Sequence, residues 1–175
     1  MNRLIVGMAL LLLGFACSTR KTETATRPAD TTAIDSVLAT TPAPALLAFA
    51  TVDGFTAAKG AATPDSVNYF LLNNAEDLVK SFAASGNVEQ PDFIINYIIG
   101  VLCQPTNRPT TISLDKVVTG ENTLDVYLNL TRGPAGGAAS KPAQLFAIEK
   151  REGYPVMQFY INGKKDKALV LVGNP

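Results

Sequence analysis

Ser140 and Lys141 stand side by side, and a serine that can pass its proton to a lysine is a recognised acyl-transfer nucleophile. Adjacent residues on an extended chain point to opposite sides, however, so Lys141 is badly placed to deprotonate Ser140. The chain contains no histidine. That removes the commonest general base, proton shuttle and metal ligand, and with it every triad of the Ser-His-Asp or Cys-His kind. No GxSxG, HExxH, P-loop or GxGxxG pattern is present. Paired carboxylates of the glycosidase type are the one catalytic arrangement left formally open. The reading is therefore a protein that is not an enzyme and needs no cofactor or metal.

Two cysteines remain as reactive types. Cys17 closes the stretch MNRLIVGMALLLLGFACS, in which Arg3 gives a positive start and Leu4 to Leu13 an apolar core too short to span a bilayer. Gly14, Phe15 and Ala16 lead into Cys17, an arrangement that resembles the lipobox of bacterial lipoproteins. The resemblance implies a signal peptide over residues 1–16, cleavage before Cys17, and a lipid on its sulfur. It places the protein in the bacterial cell envelope, anchored at the outer membrane. Lipidation of Cys17 leaves Cys103 alone within an apolar run, where a small buried side chain is expected rather than a reactive thiol, a disulfide or a metal ligand.

Charge excludes further classes. The chain has 15 basic and 15 acidic residues, and a leader carrying Arg3 would leave 14 against 15. Neither a basic face for nucleic acid nor a polybasic membrane patch follows from this, so membrane attachment has to come from lipid. Residues 17–44 are rich in Thr, Ala and Pro with almost no bulky apolar side chains, which reads as a flexible tether. Asp30-Thr31-Thr32, Asp35-Ser36-Val37 and, beyond the tether, Asp65-Ser66-Val67 resemble O-glycosylation acceptor sites known in one phylum of Gram-negative bacteria. That resemblance marks Thr31, Ser36 and Ser66 as acceptors.

Residues 45–175 are expected to form one domain. Leu46 to Val52 reads as a strand closed by Asp53-Gly54, and Val67 to Leu72 as a second. Asn74 makes an N-cap for a helix over Ala75 to Ala84, with Glu76 and Asp77 at its positive end and Leu78, Val79 and Phe82 on one face. Phe93 to Cys103 (FIINYIIGVLC) suggests a central strand covered on both faces. Thr111 to Val118 and Thr123 to Thr131 follow, joined by Thr119-Gly120-Glu121-Asn122. In the second, Leu124, Val126, Leu128 and Leu130 alternate with polar neighbours, as in an antiparallel strand with one wet face. Three strands close the chain: Ala143 to Lys150, Val156 to Ile161 and Ala168 to Val172, with Asn162-Gly163 favouring a tight reversal. The class is α+β, mainly antiparallel, with about eight strands and one short helix.

In order, Phe49-Ala50-Thr51-Val52 with Gly54, Val67-Asn68-Tyr69-Phe70, the helix Asn74-Ala75-Glu76-Asp77-Leu78, and Pro91-Asp92-Phe93 before Ile98-Ile99-Gly100-Val101 make a recognisable series. Pro109-Thr110, Ile112-Ser113-Leu114, Leu124-Asp125-Val126-Tyr127, Pro134 and Pro142 continue it. The series is similar to the C-terminal domain of protease-complex stability subunits of the PrcB type, small envelope lipoproteins thought to bind and stabilise a secreted protease. The resemblance runs from about Leu46 to Val172 and implies a protease partner. Where that family carries Thr-Gly-Gly-Tyr, this chain has Arg108-Pro109-Thr110-Thr111, a turn that must be rebuilt because Pro109 lacks glycine's conformational range.

The expected contact surface is the loop from Gly133 to Pro142 (Gly133, Pro134, Gly136, Gly137, Ser140, Lys141) together with the turn Arg108, Pro109, Thr110, Thr111. The function that follows is a lipid-anchored, non-catalytic protein-binding module whose partner is another envelope or secreted protein, with no nucleic acid involved. The alternative is an envelope lipoprotein that binds a small ligand or glycan in a concave aromatic-lined site. Arg108, Arg132 and Lys141 could cluster near strand ends and bind an anion, but scattered surface charges are the expectation. Lys164, Lys165 and Lys167 read as edge-protecting charges at a hairpin tip.

Overall fold

Alternating side chains and turn residues produce a mainly antiparallel β structure with one short helix, the α+β class, seen in a computed structural model that describes residues 43–171. The strands are β1 (Phe49–Val52), β2 (Phe55–Ala57), β3 (Val67–Leu72), β4 (Phe82–Ala84), β5 (Asn96–Cys103), β6 (Thr110–Thr119), β7 (Thr123–Arg132), β8 (Ala143–Glu149), β9 (Val156–Ile161) and β10 (Lys164–Val170), with the helix α1 (Ala75–Ser81) before β4. One sheet has the order β1-β8-β5-β3, a second β10-β9-β7-β6, and β2 pairs with β4. Every pairing is antiparallel except β7 with β9.

The main core lies between the two larger sheets. Ile99, Val101 and Cys103 of β5 and Phe146 and Ile148 of β8 meet Leu124, Val126 and Leu128 of β7 and Met157 and Phe159 of β9. The period-two pattern of β7 sends its leucines and valine inward, as read from the sequence. A second core sits on the other face of β5, where Ile98 and Leu102 meet Leu78 and Phe82. β5 is thus covered on both faces, which is why its apolar run does not alternate.

A single segment joins the sheets at one side. Leu47 N donates to Val117 O at 3.0 Å and Thr119 N to Ala45 O at 2.9 Å, and β1 then pairs with β8. At the other side β3 and β10 are the outermost strands. The Tyr69 hydroxyl donates to Asp166 Oδ2 across this seam at 2.5 Å, and Lys167 pairs with Asp65.

Ten strands replace the expected eight, and the differences have physical causes. The helix ends at Ser81 rather than Ala84, because Phe82 is extended (φ −130°, ψ 145°) and continues as β4 against β2. Its ring is 1% exposed, so tertiary burial overrides the helical pattern. Val79, placed on the buried face by that pattern, is 65% exposed. The N-cap is as read: Asn74 Oδ1 accepts from Asp77 N at 2.9 Å. β5 starts at Asn96, not Phe93, because Asp92 Oδ1 accepts from Ile94 N at 2.7 Å and holds a turn there.

β10 starts at Lys164 rather than Ala168. Asn162 (φ 48°) and Gly163 (φ 77°) form a two-residue reversal with Ile161 opposite Lys164, so the lysines lie in the strand and not in a lengthened loop. Tyr160 stacks on Tyr127 at 4.6 Å, a cross-strand packing role. Gly100 sits under the ring of Phe82, where a Cβ would fall 2.3 Å from the nearest ring carbon. Among the described residues no helix is long and apolar enough to cross a membrane.

Candidate binding groove

A concavity of about 770 Å³ opens where the ends of β3 and β10, the start of β5 and the β8–β9 connection converge. Its walls are built by local chemistry. The Asp92 turn lifts Ile94 and Ile95 out of the apolar run, leaving them 83% and 62% exposed, with Ile94 at the rim. Phe93 and Tyr97 stay half-buried on either side of them.

Lys150 braces this wall. Its Nζ donates to Phe93 O at 2.7 Å and lies 5.7 Å from the centroid of the Tyr97 ring, while its N–H donates to Ile95 O at 3.0 Å. The ammonium is therefore committed to structure. Arg151 pairs with Glu149 at 3.5 Å, with both side chains about half exposed, so this pair adds little stability. The connection then places Tyr154 and Pro155 on the opposite wall, where Pro155 O accepts from Leu171 N at 2.8 Å. Burial pushes the Tyr97 hydroxyl pKa up, with Glu152's charge adding to the effect. The groove combines apolar and aromatic walls with the amides of Asn73 and Asn96 and the carboxylate of Glu152.

The turn and the loop expected to form the contact surface do come together. Gly133 N donates to Pro109 O at 2.8 Å and Gly136 N to Asn107 O at 2.9 Å. Thr106 and Ser140 exchange both backbone hydrogen bonds, at 2.8 and 2.9 Å. Arg108 N donates to Thr106 Oγ1 at 3.1 Å and Thr110 Oγ1 to Arg108 O at 2.9 Å, and these bonds close the turn. Thr110 and Thr111 open β6 opposite Arg132 and Thr131. Pro134, Gly136 and Gly137 are exposed, but this patch offers no large apolar side chain.

Lys141 does not join Arg108 and Arg132 in an anion cluster. Lys141 Nζ donates to Ala61 O at 2.6 Å and is withdrawn from Arg108 and Arg132, and the same contact turns it from Ser140. Cys103 is 1% exposed; burial pushes its thiol pKa up against the opposing pull of Arg132, so it is a packed core residue. Ser66 is exposed just before β3. Cys17, Thr31 and Ser36 lie outside the described residues. Among the described residues no three Cys, Asp or Glu side chains converge on one point that could hold a metal ion.

Sequence reasoning did not single out the groove. Its legible signals were Tyr154-Pro155, an aromatic next to a chain reversal, and Pro91-Asp92, which breaks the apolar run just where the rim begins. The aromatic wall itself is assembled from β5 and the β8–β9 connection, more than fifty residues apart, as with Tyr97 and Tyr154. Comparison of the chain with protein-family models, with curated protein sequences and with solved structures gives no match in any of the three.

Proposed function

We propose that this chain is a lipid-anchored protein of the bacterial cell envelope, held at the outer membrane through Cys17, and that its domain is a non-catalytic protein-binding module. The motif resemblance makes a secreted protease the expected partner. The observation that supports the reading best is the exposed Ile94 at the rim of an aromatic groove, with the exposed Ile95 next to it in the chain. Burying such side chains yields about 1.5–3 kcal/mol each, and central apolar anchors are what dominate protein interfaces. The loop and turn at Gly133 and Arg108, which carry no large apolar side chain, supply shape complementarity around such an anchor.

The test compares affinity purification from envelope extract by the native chain and by Ile94→Asp/Ile95→Asp, both verified as folded. The native chain should retain a partner that the variant loses. Retention of the same partners by both would refute the groove as the contact. Anchoring is checked separately: Cys17→Ala should release the protein from membranes or block its processing, and intact mass should show acylation at Cys17 in the native chain. Cleavage elsewhere without an acyl mass overturns the anchor.

A small ligand or glycan is the second reading. It is favoured by Phe93, Tyr97 and Tyr154 around a volume of about 770 Å³, inside the range of small-molecule sites. Saturable binding of a soluble oligosaccharide in native mass spectrometry, lost in Tyr154→Ala, would select it.

A further inference from the structure

A second hollow, about 500 Å³, opens at the other end of the seam, between the start of β3, the end of β7 and the β9–β10 hairpin. We propose that it binds a phosphate group. Arg132, Lys164 and Lys165 line it, and the one carboxylate there, Asp166, already accepts the Tyr69 hydroxyl at 2.5 Å. Among the described residues the basic side chains found in ion pairs are Lys80, Arg151 and Lys167, so the three cations of the hollow face no acidic partner. Three positive charges against one negative leave an excess of two on one small surface.

The cations come from two strands that are locked together. Asn162 Oδ1 accepts from Leu130 N at 2.9 Å, Asn162 Nδ2 donates to Leu130 O at 3.1 Å, and Asn162 N donates to Leu128 O at 2.9 Å. These bonds fix the hairpin tip against β7 two residues before Arg132. The tight Asn162-Gly163 reversal then puts Lys164 and Lys165 in the lining of the same hollow as that arginine. Edge protection explains lysines on β10 alone. It does not explain a guanidinium from β7 gathered with them around a cavity.

The chemistry fits phosphate better than a single carboxylate. A guanidinium fork grips two oxygens, the hairpin lysines add positive charge, and the exposed Ser66 lines the same hollow. The phosphate is carried either on a lipid headgroup or on a soluble ester. For a domain tethered to a membrane both are within reach.

The experiment uses residues 17–175 with Cys17→Ser, which keep all of both cores. Inorganic phosphate is titrated at low ionic strength while amide resonances are followed by NMR. Saturable shifts are expected at Ser66, Arg132, Lys164 and Lys165, with half-saturation at about 10 mM or below, in the weak-binding regime of solvent-exposed charges. Arg132→Gln should weaken binding at least about fivefold, and the triple variant Arg132→Gln/Lys164→Gln/Lys165→Gln should abolish it. Lys59→Gln, which alters a cation lining neither cavity, should change nothing. In a second arm, the same proteins are sedimented with phosphatidylcholine vesicles with and without phosphatidylglycerol. Triple-variant-sensitive sedimentation identifies a lipid headgroup, and shifts with inorganic phosphate alone identify a soluble ester. The proposal is overturned if neither arm gives binding, or if Lys59→Gln weakens it as much as Arg132→Gln does.

Discussion

Placing a methyl group at Gly100 tests the packing that positions the whole helical side of the domain. The Cβ of an alanine there would sit 2.3 and 2.5 Å from two ring carbons of Phe82. Carbon pairs prefer about 3.5–4.0 Å, so the deficit exceeds about 1 Å at each contact. The ring has little room to retreat, being 1% exposed and edge-on to Phe70 at 6.4 Å. Overpacking of this kind costs about 1–3 kcal/mol, and the backbone entropy gained on replacing glycine returns about 0.4–1 kcal/mol. Gly100→Ala should therefore lose about 1–2 kcal/mol, a fall in melting midpoint of about 3–10 °C for a domain of this size. Urea unfolding should show a lower midpoint with an unchanged slope. Phe82→Leu removes the outer ring carbons, so adding Gly100→Ala to it should cost almost nothing, giving a coupling of about 1 kcal/mol or more. A neutral Gly100→Ala, or the same loss in both backgrounds, would refute the reasoning.

Removing residues up to Pro44 should leave the melting midpoint unchanged, while removing those up to Ala48 should lower stability by about 2–5 kcal/mol. The second cut takes away Leu47, 4% exposed, and the Ala45 hydrogen bonds with Thr119, and calorimetry of the two truncations separates the cases. Burial, reinforced by the hydrogen bond to Asp166, raises the Tyr69 pKa, so its folded pKa lies above the unfolded value. An acid with that sign contributes stability in full below about pH 10 and loses it above, by up to about 1.4 kcal/mol per pH unit, because the unfolded chain releases a proton that the folded chain keeps. Urea unfolding across alkaline pH should show this slope in the native chain and a shallower one in Tyr69→Phe. Cys103 should resist thiol reagents in the folded protein and react only on unfolding, as mass spectrometry after labelling would record.

Much of the fold was legible in the chain because it follows from local rules. The alternation Leu124, Val126, Leu128 can satisfy only a strand with one buried face, and Ile98 to Cys103 only a strand buried on both. Asn74 capping α1 and Asn162-Gly163 reversing the chain are likewise properties of a few neighbouring residues. The joining of the Arg108 turn to the Gly133 loop was also foreseeable, because β6 and β7 form a direct hairpin whose ends must meet.

Other features depended on contacts distant in sequence. Phe82 leaves the helix because Phe55–Ala57 and Gly100 give it a strand partner and a slot, neither of which its neighbours announce. Lys141 reads as a free cation until the fold brings Ala61's carbonyl to it, eighty residues away. The aromatic groove and the three-cation hollow exist only because β3 and β10 end up as the facing outer strands of two sheets. Local sequence sets the conformation of each segment through short-range sterics and hydrogen bonding. Which side chains share a surface is decided by how the sheets pair and pack to bury their apolar faces, and that is a property of the whole chain.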